Sequence, residues 1–301
     1  MSSHNGGNHR TDNPIDSPPG EFSSPGADEP AGDPEAEDDL EPSKAGGAGG
    51  ASQPGAVAGE AKKARRDEDP DAVLQFAEAP VPSLDELRDA LTWAFAAEEV
   101  ASELLDRFAA HARYVLEGNR VLNLTAIVDP KEVAAKHYLD SWRTTRLLPL
   151  LGRSVLDLGT GAGFPGMPVA LAEPQARVCM LDSTQKRIDF VARCIAHFGL
   201  RNATAVAARA EEHLARNKYD IVLMRAVSSI RENVRLLRKV RHSHKDLVML
   251  MGPSWSREAR AAEREAERLG FRLDTVWEHS LPGELGERAF LVYRAPGGHG
   301  N

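Results

Sequence analysis

The segment that most constrains this 301-residue chain is Val155-Leu-Asp-Leu-Gly-Thr-Gly-Ala-Gly-Phe-Pro-Gly166. A short apolar run enters a loop with four glycines in eight residues, and a helix-compatible stretch comes next. Glycine at this density lets a backbone turn sharply and approach a ligand closely, as at the junction of a parallel strand with its crossover helix. Downstream, apolar runs at Ser154-Leu158, Val178-Asp182, Ala203-Ala207, Asp220-Met224 and Leu247-Leu250 alternate with helical patterns such as Lys186-His197 and Arg257-Leu269. That alternation predicts a parallel sheet flanked by helices. Two last runs, Arg272-Glu278 and Ala289-Tyr293, are joined through Leu281-Pro-Gly-Glu-Leu-Gly286, too short for a crossover helix, and so predict an antiparallel hairpin.

Upstream of the sheet the period is helical. Ser83-Leu-Asp-Glu86 has capping-box spacing ahead of Leu84, Leu87, Leu91 and Phe95. A second pattern through Val100, Leu104, Leu105, Phe108, Ala112, Val115 and Leu116 is expected to stop at Gly118-Asn119. The four tryptophans, Trp93, Trp142, Trp255 and Trp277, are expected in or at the edge of the core. The first 80 residues differ, with 17 acids, 6 bases and 10 of the 19 prolines, leaving 28 acids and 31 bases beyond them. Such a segment cannot bury enough apolar surface to offset its ordering entropy, so 1-80 is expected to be a disordered acidic tail. A helical cap over 81-150 and a catalytic domain over 151-296 complete the expected organisation.

No charged start leads into an apolar signal region and no apolar run approaches bilayer length, which points to a cytoplasmic protein with no membrane partner. Cys179 and Cys194 read as buried thiols, and no spacing suggests a metal site.

Two ligand motifs overlap in the loop. Gly161-x-Gly163-x-x-Gly166 matches the dinucleotide fingerprint, whereas Asp157-x-Gly159-x-Gly161-x-Gly163 matches the first motif of S-adenosylmethionine (SAM) dependent methyltransferases. Asp157 favours SAM, since a carboxylate suits a cationic ammonium or sulfonium better than a pyrophosphate. Pro165 also weighs against a pyrophosphate seat, because it removes a backbone donor. Asp182, closing the second strand, suits ribose hydroxyls of either ligand.

The chain resembles the small-subunit ribosomal RNA methyltransferase G family, also called glucose-inhibited division protein B, over about residues 83-294. The likeness rests on Asn123-Leu-Thr125, Lys136-His-Tyr-Leu-Asp-Ser141, the loop from Asp157 to Pro168, Leu181-Asp-Ser183 with Lys186-Arg187, Ala208-Arg-Ala-Glu-Glu212, Met224-Arg-Ala-Val227 and Gly286-Glu-Arg288. It implies a class I SAM-dependent methyltransferase fold, a Rossmann-like mostly parallel sheet with a final antiparallel strand. It further implies transfer of a methyl group to guanine N7 in the decoding-region loop of 16S rRNA, with the small ribosomal subunit as partner.

Carried over, Gly159 and Phe164 contact SAM, Ala210 and Glu211 bracket its adenine, and Arg225 lines the cleft. His137 and Asn123 join Arg225 as catalytic candidates, although a structural histidine and a turn residue are the competing readings. Arg209, Lys186 and Arg187 are candidates for RNA contact, the latter two because a cation at a helix start suggests an anionic partner. The run Arg235, Arg238, Lys239, Arg241 and Lys245 reads equally as an RNA-facing patch or a solvated face. Two positions depart from the family's usual pattern: Met251 where lysine is usual, and Ala289 where histidine is common. A methyltransferase for another RNA, a protein or a small molecule, and a nucleotide-binding regulator without catalysis, remain the alternative functions.

Overall fold

The computed structural model describes residues 80–225 and 227–295. The expected disordered tail lies, through residue 79, outside the described residues. Helix α1 (Leu84–Ala94) starts with the expected capping box: Glu86 N–H donates to the Ser83 hydroxyl, and Ser83 N–H donates to the Glu86 carboxylate at 2.7 Å.

Helix α2 (Ser102–Leu122) runs one turn past its expected stop. Gly118 lies inside it because a neighbour needs the space; a Cβ there would collide with the Phe190 ring. Asn119 acts beyond the helix rather than ending it. Its side-chain oxygen accepts from the N–H groups of Leu124 and Thr125, and its amide donates to the Thr125 carbonyl. The C-cap is Asn123, in the left-handed region at φ 48°, a conformation that asparagine tolerates.

A turn at Pro130–Glu132 then leads into a π-helical stretch, Val133–Leu139, and helix α3, Asp140–Leu147. All of the π-helical residues except Lys136 are buried. Wide turns of this kind are frequent at functional sites.

The sheet comprises β1 (Ser154–Leu158), β2 (Arg177–Asp182), β3 (Ala203–Ala207), β4 (Tyr219–Arg225), β5 (His244–Met251), β6 (Arg272–Ser280) and β7 (Glu287–Arg294). Its order is β3-β2-β1-β4-β5-β7-β6, with β1 to β5 parallel and β7 antiparallel to both neighbours. This is the class I methyltransferase arrangement, closed by the expected hairpin. Several strands outrun their apolar runs. β5 begins with His244-Lys-Asp246, for example, where a buried Asp246 is paired with Arg294 on β7.

Helices α4 (Gly166–Ala172), α5 (Gln185–His197), α6 (Ala210–Leu214), α7 (Ile230–Leu237) and α8 (Trp255–Arg268) connect the strands. Strand alternation sends Val155, Ile221, Leu223 and Phe290 into a core shared with α1 to α5. Leu156, Val222, Met249 and Leu291 enter a second core with α6 to α8. The N-terminal helices are therefore continuous in packing with one face of the sheet. Trp142 is buried and the other three tryptophans are half-buried, while Cys179 and Cys194 are buried free thiols. Among the described residues, no helix is long and apolar enough to cross a membrane, and no group of three or more His, Cys, Asp or Glu is placed to hold a metal.

Candidate functional site

In this strand order β1 and β4 leave the centre of the sheet in opposite topological directions. Such a switch point opens a crevice beyond the C-terminal strand ends. A cleft of about 590 Å³ lies there, between the exits of β1, β2 and β3 and the start of α7. Its apolar walls include Leu158, Leu181 and Val227, and its polar groups are Asp182, Ser183, Arg209, Glu211, Ser228 and Glu232. That size suits a nucleoside-containing ligand.

The loop geometry explains its glycines. Gly159, Gly161 and Gly163 all have positive φ, at 79°, 58° and 101°. A Cβ on Gly159 would strike Val227, whereas one on Gly161 would meet nothing within 4 Å. Gly159 thus fits against the protein, and Gly161 presents bare backbone to open space. Gly161 N–H donates to Asp182 Oδ2 at 3.1 Å, and Thr184 N–H donates to Oδ1 at 2.9 Å. Oδ2 also receives Arg187 Nη1 at 3.5 Å, whereas Oδ1 keeps a further lone pair for a ligand hydroxyl.

Asp157 has another task. Alternation turns it toward the N-terminal helices, fully buried and outside the cleft lining. Its Oδ2 accepts from the Thr160 hydroxyl at 2.5 Å and from Gly166 N–H at 2.7 Å, so it braces the loop from behind. The expectation that it meets the cofactor's ammonium directly gives way to this role, because its carboxylate turns inward while the cleft opens elsewhere. Oδ1 is buried with no hydrogen-bond partner, and burial pushes the carboxyl up to about 6.

The sign of this shift makes a prediction. A carboxyl with a folded pKa above its unfolded value destabilises the fold once it ionises, from pH 4 upward and fully above pH 6. Asp157→Asn retains an acceptor for the brace and removes that cost. Its stability advantage over the parent chain is expected to grow between pH 4 and 6 and then level off at about 3 kcal/mol, from 1.36 kcal/mol per pKa unit. Denaturant melts across pH 4 to 8 measure it. A pH-independent difference would contradict the assignment.

Phe164 also faces inward. Its ring is 3% exposed, stacks on His137 at 4.4 Å and 12°, and packs edge-on against Tyr138. Any ligand contact from this residue comes through its backbone. His137 is held by the Phe164 ring and by Thr125 Oγ1, 3.0 Å from Nε2, and burial keeps its pKa well below the usual value. Arg225 leaves β4 on the same side, donates Nη1–H to the Lys136 carbonyl at 2.9 Å and lies over Phe164 at 5.3 Å. The structure thus joins Arg225, His137 and Phe164 in one assembly behind the loop. Asn123 stands apart as the helix cap.

Arg209, Ala210 and Glu211 come to the cleft at the start of α6. Lys186 and Arg187 open α5, where Arg187 lies 3.5 Å from Asp182 and Lys186 is also engaged. Arg187 nonetheless keeps 43% of its side chain exposed, and neither residue lines the cleft. Within the basic run, Arg235 is paired to Glu265 and Lys245 to Asp220, while Arg238, Lys239 and Arg241 have no ion pair among the described residues.

Beyond Val227, which closes the Met224-Arg-Ala-Val227 motif, sequence reading missed the rest of the far wall, Ser228, Glu232 and Leu236. The available signal was Ser229-Ile-Arg-Glu232, a capping box that starts α7 just after β4. Nothing in the sequence pointed to His279, whose Nε2 is 3.2 Å from the buried Asp140 carboxylate.

With this geometry in place, comparison is informative. The family described as rRNA small subunit methyltransferase G matches residues 104–282. The chain belongs to that family. Ribosomal RNA small subunit methyltransferase G of Carboxydothermus hydrogenoformans is 33% identical over 200 residues, 65% of this chain and 85% of that protein. Its counterpart from Desulforamulus reducens is 35% identical over 210 residues, covering 66% and 87%. That from Deinococcus deserti is 38% identical over 196 residues, covering 63% and 79%.

The cofactor of this methyltransferase is SAM, and the cleft fits it. Asp182 and Glu211 offer acceptors for hydroxyl and amino groups, Gly161 offers approachable backbone, and Leu158, Leu181 and Val227 offer apolar surface. Met251 and Ala289 are opposite one another in the β5–β7 ladder. Both face the core shared with α8, where Ala289 is fully buried.

Proposed function

We propose that this protein transfers the methyl group of SAM to N7 of a guanine in the decoding-region loop of 16S rRNA, in the cytoplasm and on the small ribosomal subunit or its RNA. The coarser part, methylation of small-subunit rRNA, is supported by family membership and by the name its relatives share. The finer part is supported by one feature of the site. Its buried ionisable groups are engaged in structural contacts, with His137 on Thr125, Asp157 on Thr160 and Gly166, and Arg225 on Lys136. None of the three lines the cofactor cleft. Guanine N7 has an in-plane lone pair and needs no deprotonation, so it suits a site that works by positioning.

SAM supplies an electrophilic methyl on a sulfonium. The chain holds it through the Gly159–Gly161 backbone, the Asp182 carboxylate and the Ala210–Glu211 segment. Asp182 and the neighbouring Asp157 set a negative field at the strand ends, favourable to a cation. Arg225, fixed by the Lys136 carbonyl and the Phe164 ring, orients the incoming nucleotide.

The test is transfer of labelled methyl from SAM to 30S subunits and to deproteinised 16S RNA from cells lacking the modification, with the base mapped. Label at one guanine N7 is the expected result. Label at another position or in another molecule refutes the target. Tight SAM binding with no label in RNA would favour the regulator.

A further inference from the structure

The end of the sheet opposite the cofactor cleft has its own charge pattern. Each of the five parallel strands has a cation within two residues of its start: Arg153 before β1, Arg177 opening β2, Arg201 before β3, Lys218 before β4 and Lys245 in β5. In spatial order these residues run along one edge. With strands about 4.8 Å apart, the row from β3 to β5 spans roughly 19 Å. Lys245 is neutralised by Asp220. Among the described residues, no ion pair engages Arg153, Arg177, Arg201 or Lys218, and the last three are exposed.

Two clefts open on the same edge and share this bias. One, of about 420 Å³ between the entries of β2 and β3, is lined by Arg107, Arg177 and Arg201 with no acid. The other, of about 320 Å³ between the entries of β4 and β5, is lined by Arg216, Lys218 and Lys239, again with no acid. The cofactor cleft instead sets Arg209 against Asp182, Glu211 and Glu232, and the groove beside α8 balances Arg260 and Arg272 with Glu263 and Glu267. Residues 81–301 hold 31 bases against 28 acids, so a rim this one-sided reflects placement rather than composition.

We propose that this strand-entry edge is a second nucleic-acid contact, which seats the phosphate backbone of the RNA at a distance from the nucleotide being methylated. The assignment rests on RNA being the substrate. Free cations spaced along a ledge, with clefts between them, suit a run of phosphates, whose condensed counterions are released on binding. Contacts of this type fix register and orientation and leave base choice to the cleft.

The experiment compares the full chain with the triple variant Arg177→Gln, Arg201→Gln, Lys218→Gln. A control carries Arg260→Gln and Arg272→Gln from the acid-balanced groove. Binding to deproteinised 16S rRNA is followed from 50 to 200 mM salt, and SAM affinity is measured by calorimetry. The triple variant is expected to bind RNA at least tenfold more weakly at low salt. Its plot of log affinity against log salt should be shallower by about 2, at roughly 0.7 for each single-stranded phosphate that the three cations no longer neutralise. SAM affinity and the control's slope should match those of the parent.

An unchanged slope would overturn the proposal. So would lower thermal stability with unchanged slope, which would confine these cations to offsetting the helix carbonyl ends nearby. Weakening seen only with assembled 30S subunits would assign the edge to a protein instead. If the parent chain shows no salt-dependent RNA binding, the RNA reading falls and this partner with it.

Discussion

Gly161→Asp is expected to weaken SAM binding at least a hundredfold while leaving the fold standing. Position 161 has φ 58°, which costs a non-glycine residue roughly 1–2 kcal/mol but which aspartate tolerates better than most. Its Cβ would meet no protein atom within 4 Å, so nothing in the core is displaced, and the melting temperature should fall by only a few degrees. The damage falls on the ligand. A side chain now fills the space where bare backbone was available, and it sets a second carboxylate beside Asp182, which accepts the Gly161 N–H. A hundredfold loss corresponds to about 2.7 kcal/mol, within reach of one steric block and one misplaced charge. Calorimetric titration with SAM measures it. Unchanged affinity would sink the assignment of the loop.

The second large effect is expected at Arg225. Replacing it with alanine removes the donor to the Lys136 carbonyl and the cation that balances Asp140 and Asp157 across the strand ends. Breaking a buried charged arrangement from one side costs about 3–5 kcal/mol. Loss of turnover in Arg225→Ala is therefore ambiguous, and Arg225→Lys separates the causes. Lysine restores the charge and most of the stability but lacks the planar fork that lies over Phe164 and reaches Lys136. Methyl transfer is expected to drop at least a hundredfold in both variants, with denaturant melts showing a large stability loss only in the alanine form. Normal turnover in the folded lysine variant would refute the role given to Arg225.

The sheet was legible because its strands are short apolar runs punctuated by glycine and charge. The closing hairpin followed from six residues with no room for a helix. What escaped reading depends on contacts between distant segments. Gly118 reads as a helix stop until Phe190, 72 residues later, is seen to need its missing side chain. Arg187 reads as a bare cation at a helix start until Asp182 is found beside it. Asp157 was recognised as important, but strand parity, which turns it to the inner face, becomes meaningful only once both cores are known. Likewise, Met251 and Ala289 look like two losses in the sequence and are one cross-strand pair in the sheet.

The stack of Phe164 on His137 bears on how such enzymes can be taken apart. The chain changes character near residue 150, which invites treating the sheet and its flanking helices as a transferable cofactor-binding cassette. Yet the ring that anchors the glycine loop sits on a residue of the preceding helical layer and touches Tyr138 and His111 of the same layer. A graft cut at 150 would carry the loop without its mount. Chimeras between relatives should therefore exchange the helical segment and the loop together, as one heritable block.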